Sequence, residues 1–247
     1  MRSIAHSLLL AFADALHPRM LWLMLWPVLV ALAIWGAVAL VFWGQFVLWL
    51  ADLLLAWLRY GQFLLHWNAA DVALIAAKIV TLLALAPLVQ LTALFILGMF
   101  GMPAMVEFVA ARRFARLGRR RGGGLWGSVW NSLLALAGLA ALALVSLPLW
   151  VFPPLWPAIP VAIAGWVNQR VLRYDALAEH ADAAEMRSIF RARRGAMVGL
   201  GVLLALLAYI PLLGMVAPVL FGLAFTHYLL GALQALRAAP IEGEVLA

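Results

Sequence analysis

The chain has 247 residues, of which 68% are hydrophobic and 11% charged, and it carries a formal net charge of +7 without any cysteine. This composition excludes a separate soluble domain, and the lack of thiols excludes disulfides and thiolate metal sites. Four stretches contain no Asp, Glu, Lys or Arg: residues 20–51, 79–106, 122–169 and 195–236. Because about 20 apolar residues cross a bilayer, we predict an all-α integral membrane protein with a single membrane domain over residues 1–247.

Residues 1–19 are predicted to form an interfacial helix that leads into the membrane. Ile4, Leu8, Phe12 and Leu16 recur every four residues, and the charged and polar side chains lie off that stripe. A cleaved signal peptide is the less favoured alternative, because its apolar run would be too short.

The first two apolar stretches predict long transmembrane helices over residues 20–59 and 72–106. The last two, residues 125–169 and 195–236, are interrupted by prolines near their middle, at Pro148 to Pro160 and at Pro211 and Pro218. Their uninterrupted legs are shorter than the hydrocarbon core of about 30 Å. We therefore predict two proline-broken helical hairpins that are only partly inserted, with four ordinary spanning helices as the open alternative. Helix breaks at membrane depth need surrounding protein, which predicts an oligomer.

Two connectors, residues 107–124 and 170–194, carry six arginines each. The positive-inside rule places both, with the termini, on the cytoplasmic face. Membrane lipid explains this charge better than nucleic acid, which is not an expected partner. Residues 170–194 are interpreted as a polar amphipathic helix, the three glycines at 122–124 as a flexible joint, and residues 237–247 as a tail.

The sequence contains no recognisable catalytic, metal-binding or cofactor-binding motif. The four apolar stretches lack any acid, and no Gly-x-Ser-x-Gly motif surrounds a serine. The polar residues Glu179, His180, Asp182 and Glu185 do not have the spacing of a zinc-protease helix. We therefore expect no enzyme activity, no metal and no cofactor.

Anion binding is the chemistry that the sequence supports best. Pro18 and Arg19 stand at the head of the first long helix, where the helix dipole is positive and a guanidinium can hold an oxyanion. Arg19 is the leading candidate ligand, and Asn131, Thr226 and His227 are secondary candidates. The alternative for Arg19 is that its side chain reaches a lipid phosphate.

Four motifs follow one another along the chain: Leu16-His-Pro18-Arg19, Gly101-Met-Pro103, Glu185-Met-Arg187, and Ile210-Pro211-Leu-Leu-Gly214 with Ala217-Pro218. Their order, over about residues 11–236, resembles that of the CysZ sulfate permeases and the wider family containing the etoposide-induced protein domain. The resemblance implies a multi-pass protein of the bacterial inner membrane. It also implies a homo-oligomer that encloses an ion path and supplies sulfate for cysteine biosynthesis.

The sequence thus leads to two hypotheses from different classes. The first is a permease or channel for an inorganic anion, with sulfate as substrate, Arg19 in substrate capture and the hairpins as the pore wall. The second is a membrane organiser without transport activity, whose basic connectors bind anionic lipid or a partner protein.

Overall fold

The computed structural model describes residues 2–58 and 68–238, and within these ranges it contains eight α-helices and no β-strand. The helices are α1 (Arg2–Ala15), α2 (Pro18–Leu58), α3 (Ala69–Arg113), α4 (Leu125–Ser146), α5 (Ala158–Leu177), α6 (Ala183–Ala192), α7 (Arg194–Leu207) and α8 (Pro211–Ala238). Two 3-10 turns, Leu147–Val151 and Pro153–Leu155, connect α4 to α5. The predicted all-α architecture is confirmed. Residue 59 of the first predicted span and most of the predicted tail, residues 239–247, lie outside the described residues.

Within residues 2–58 and 68–238, four segments are long and apolar enough to cross a membrane: Pro18–Leu58, Ala69–Arg113, Trp126–Val151 and Val216–Ala238. The first three are mostly exposed, whereas 72% of the apolar window in the last is buried inside the protein. A helix that is apolar on all sides needs either lipid or protein around it. Lipid or other protein must therefore cover α2 to α4, and α8 forms a core.

The described part of the chain forms two compact units, one of residues 22–99 and the other of the residues before and after it. In the first unit, α2 and α3 pack through the buried side chains of Val47, Ala51 and Ala77. The indole Nε1 of Trp35 donates a hydrogen bond of 2.9 Å to the hydroxyl of Thr92. Small residues let the helices approach closely, and the polar contact fixes them without a charge.

In the second unit, α1, α5, α6 and α7 pack around α8. The α1 face that is buried contains Ser7, Ala11, Asp14 and Ala15, whereas Leu16 of the predicted apolar stripe is 74% exposed. This differs from the sequence interpretation, in which Asp14 lay on the polar side. Small residues allow close packing on α8, and the carboxylate has partners there.

Each of the two predicted hairpins folds back on itself as a pair of packed helices, α4 with α5 and α7 with α8. In the first pair, the N–H groups of Gly122 and Gly123 donate to the carbonyls of Ala181 and Ala178, both at 2.9 Å, so the entrance and exit of the hairpin meet. A Cβ on Gly122 would lie 2.5 Å from the Ala181 oxygen. Close packing therefore requires Gly122 and Gly123 of the predicted flexible joint, whereas Gly124 has open space around it.

The second pair turns before Pro211, which begins α8, while Pro218 stays inside that helix. Proline fits the first turn of a helix, where its missing N–H costs nothing. α7 has 14 residues and is therefore about 21 Å long, too short to cross a core of about 30 Å. The length of α7 favours partial insertion, whereas α8, with 28 residues continuous through Pro218, is longer than the predicted leg and long enough to cross. The depth of the pair in the membrane stays a prediction.

Residues 170–194, predicted as one polar helix, are divided between the end of α5, a turn and α6. The division has a local cause, a capping box at the start of α6. The Asp182 carboxylate accepts from the N–H groups of Ala184 and Glu185 at 2.9 and 2.8 Å, and Glu185 accepts from the Asp182 N–H at 2.9 Å. Such reciprocal capping starts a new helix. The preceding basic connector also begins as helix, because α3 continues to Arg113.

Candidate functional site

A buried carboxylate joins three helices of the second unit. Asp14 on α1 is 3% exposed, and one of its oxygens lies 2.8 Å from Nε2 of His227 on α8. Nη2 of Arg113, the last residue of α3, donates to the other oxygen at 3.3 Å. A buried carboxylate requires such partners, so this triad fixes α1 and the end of α3 against α8.

A cavity of about 620 Å³ lies beside the triad. Four basic side chains are among those that line it: His6, Arg113, Arg193 and His227. Asp14 offsets one of their charges, which leaves the lining positive. Such a group of donors is suited to an anion rather than to a cation.

Two further polar atoms at the cavity have no hydrogen-bond partner within the described part of the chain. They are the hydroxyl of Tyr228 and Nδ1 of His227, and both residues line the cavity. Buried polar atoms in native proteins are normally satisfied. An oxygen ligand in the cavity could accept from the Tyr228 hydroxyl, whereas Nδ1 of His227 is itself an acceptor while Nε2 donates to Asp14.

A smaller cavity of about 280 Å³ shares Arg113, Phe114 and Gln234 with the first one. Its lining adds Arg112 and Arg116. The end of α3 and the residues that follow it therefore supply guanidinium groups to two neighbouring cavities. This is the part of the first basic connector that faces α8.

Some of the connector charges, together with Arg237, form an ion-pair network that holds the helix ends together. Glu185 accepts from Nε and Nη2 of Arg237 at 2.8 and 2.9 Å, and from Arg120 at 3.1 Å. The contact with Arg237 is the main reason that the pKa of Glu185 lies below its usual value. Arg237 also donates to the carbonyl of Gly118 at 2.9 Å, so the end of α8 is tied to the connector before α4. Because the side chains of Arg120, Glu185 and Arg237 already bind one another or the backbone, they are poor candidates for a ligand site.

The leading candidate from the sequence, Arg19, lies exposed at the start of α2, directly after Pro18. Its N–H donates to Nδ1 of His17 at 3.2 Å, and the N–H groups of Met20 and Leu21 donate to the His17 carbonyl. Since His17 caps these amides, an anion at this point would depend on the Arg19 guanidinium and the helix dipole.

A second basic residue lies near the same helix start. The ring of His17 is 4.9 Å from that of Phe108, and the guanidinium of Arg112 lies 5.1 Å from the centre of the same ring. The start of α2 and the end of α3 thus share one aromatic contact. Arg112 also lines the smaller cavity.

The three secondary candidates have different surroundings. His227 lies at the cavity, as described above. Asn131 donates from Nδ2 to the carbonyl of Arg170 at 2.8 Å, and Thr226 donates to the carbonyl of Gly222 at 2.7 Å within α8. In this structure the latter two contact backbone rather than the cavity.

Sequence reasoning did not select Asp14, Arg113 or Arg193. Asp14 and His227 are 213 residues apart, so no local pattern could join them. The usable signal was an acid within the small-residue face of a short helix, together with a histidine inside an apolar stretch. Buried ionisable groups of this kind normally have partners.

Comparison with curated proteins and with solved structures gave no match. A family model described as "Sulfate transporter CysZ/Etoposide-induced protein 2.4" matches residues 7–218. That region contains Asp14, Arg113 and Arg193, and it ends inside α8. The chain therefore belongs to the CysZ/etoposide-induced protein 2.4 family of multi-pass membrane proteins.

Proposed function

We propose that this protein is a membrane permease or channel for an inorganic anion, and that the anion is sulfate. Family membership supports transport as the activity, in place of catalysis. The observation that carries the proposal is the cavity beside α8, which gathers His6, Arg113, Arg193 and His227 in a chain composed mostly of apolar residues. Several basic side chains around one cavity, offset there by a single carboxylate, favour the binding of an anion.

The residues of the cavity have distinct roles in this proposal. Arg113 is held by Asp14 and can present its remaining N–H groups to an oxyanion. Arg193 is exposed and has no ion pair within the described residues, so its charge is available to attract the anion. Arg19, at the start of α2, serves in capture together with Arg112. Tyr228 can donate its hydroxyl once the anion has entered.

The family membership also motivates the proposed setting. We place the protein in the bacterial inner membrane, as a homo-oligomer that encloses the ion path and supplies sulfate for cysteine biosynthesis. The exposed apolar surfaces of α2 and α4 support contacts with lipid and with other copies.

Radiolabelled sulfate uptake into proteoliposomes tests the proposal. The wild type should exceed empty vesicles, and Arg193→Gln should reduce sulfate affinity, because a lost charge-assisted contact corresponds to roughly 10–150-fold. Arg191→Gln is the matched control, since Arg191 is exposed on the neighbouring helix α6 and does not line the cavity. The membrane-organiser hypothesis predicts no flux for any of the three proteins.

The role of Arg19 needs a separate test. Arg19→Ala should weaken sulfate binding without unfolding the protein, and Arg19→Lys should restore only part of it, because an ammonium lacks the planar fork. If the side chain only contacts lipid, lysine restores the wild-type behaviour completely. Sulfate titration with thermal stability measured alongside separates these cases.

A further inference from the structure

Three arginines gather where the ends of α5 and α7 meet. Arg170 and Arg173 lie near the end of α5, and Arg194 is the first residue of α7. Gly165 and Gly201 bring the two helices into contact, with no room for a side chain between them. Arg173 is eight residues from Gly165 and Arg194 is seven from Gly201, about 12 and 10 Å along antiparallel helices. The arginines therefore lie at one level of the helix pair.

The guanidinium groups of this cluster are only partly satisfied. Arg173 lies over the ring of Phe190, 4.7 Å from its centre, and its Nη1 is 3.5 Å from Oε1 of Gln169. The Nε atoms of Arg170 and Arg173 are buried and have no hydrogen-bond partner in the described structure. Guanidinium N–H groups in such a position call for an acceptor.

No carboxylate of the described residues forms an ion pair with any of the three arginines. The acid that follows in sequence, Asp175, instead accepts a hydrogen bond of 2.6 Å from the hydroxyl of Ser128. This differs from Arg120 and Arg237, which both pair with Glu185. The cluster thus has an excess of positive charge, and no described residue supplies a counter-ion.

The electrostatic effect on Arg173 is large. Burial, followed by repulsion from Arg170 and Arg194, lowers the pKa of Arg173 from its usual value to about 10. The group remains protonated at neutral pH, so the three like charges persist together. The N-terminus of α7, which has no side-chain cap, adds further positive potential. A bound anion would relieve this repulsion and accept from the buried N–H groups.

We infer that Arg170, Arg173 and Arg194 form a binding site for a phosphate-type oxyanion at the boundary between the apolar and polar parts of α5 and α7. The apolar part of each helix begins next to the cluster, so a lipid headgroup can place its phosphodiester there, and a free phosphate or sulfate ion offers the same oxygens. None of the three arginines lines the cavity proposed for transport. This inference therefore does not depend on the transport function.

Two binding measurements on the purified full-length protein distinguish the sources of the anion. In the first, delipidated protein in detergent is titrated with phosphatidylglycerol, with phosphatidylcholine for comparison, and bound lipid is counted by native mass spectrometry. In the second, sodium phosphate and sodium sulfate are titrated by calorimetry. The second titration is repeated in the Arg193→Gln background, so that binding in the transport cavity is separated from binding at the cluster.

We expect Arg173→Gln and Arg194→Gln each to weaken the binding either of phosphatidylglycerol or of the free anion by about tenfold or more. Arg191→Gln removes the same charge from the neighbouring helix α6 and should bind like the wild type. Arg194 is exposed, so its replacement tests the site even if Arg173→Gln fails to fold. Equal binding by wild type, Arg194→Gln and Arg191→Gln in both measurements would overturn the inference. So would a wild type that binds neither phosphatidylglycerol nor a free anion.

Discussion

The triad of Asp14, Arg113 and His227 should contribute measurably to stability, and Asp14→Asn tests this. Asparagine keeps the shape and one acceptor oxygen but removes the charge. The hydrogen bond to His227 is fully buried, with side chains 1% and 4% exposed, and bonds to charged groups contribute about 1.5–3 kcal/mol. The Arg113 side chain is 34% exposed, which reduces its share towards the value of about 0–1 kcal/mol for surface pairs. We therefore expect a loss of about 2 kcal/mol.

A double-mutant cycle isolates the contact. Asp14→Asn, His227→Gln and the double variant are compared by reversible denaturation in mixed micelles, and a coupling of about 1–2 kcal/mol is expected between the two sites. Glu107→Gln provides the matched control, because Glu107 is exposed on α3 and should change stability by less than about 0.5 kcal/mol. Additive single effects, or a loss no larger than that of Glu107→Gln, would refute the role assigned to Asp14.

Three further predictions concern packing, pH dependence and topology. Gly201→Ala should lower the free energy of unfolding by about 1–3 kcal/mol in a denaturant titration, because the new Cβ would collide with the Gly165 carbonyl. Gly199→Ala is the control and should be tolerated, because Gly199 has open space around it. Equal effects of the two substitutions would contradict the α5–α7 contact. Burial lowers the pKa of His180, so its contribution to stability is present above about pH 6.5 and is lost as the pH falls below that value. His180→Gln should reduce this loss of stability at low pH, measured as the melting temperature over a series of pH values. An unchanged dependence of the melting temperature on pH would contradict the role of His180. Single cysteines at Gly124, Arg191 and Ala238, three exposed positions at the ends of the hairpins, should all be labelled from one side of intact cells. Labelling from both sides would exclude the hairpin topology.

The sequence by itself determined the helical membrane architecture, because charge-free stretches of this length are stable only in a bilayer. It also indicated where the two hairpins turn, since a helix ends near the prolines from Pro148 to Pro160 and another begins at Pro211, although Pro27 and Pro218 stay inside helices. The order of its motifs indicated the family, because each motif is a short local run of residues. Within the site, it selected His227 as a polar residue in an apolar stretch.

Burial was decided by the tertiary structure. All four long segments are apolar enough to span a membrane, and α8 is the least apolar of them, yet it is the one buried by other helices. Composition cannot predict which of these helices is buried by protein and which faces lipid, because both offer similar apolar surroundings. Gly222 on α8, for example, leaves room for Met105 of α3, which only the folded chain shows.

The chemistry of the site likewise depends on contacts between distant parts of the chain. By its spacing Asp14 is a polar-face residue of α1, and only the packing of α1 on α8 brings His227 and Arg113 to its carboxylate. The division of residues 170–194 depends on a capping box whose two side chains must face each other. Charge pairing, too, requires distances, so only the fold could separate the paired Arg237 from the unpaired cluster at Arg173.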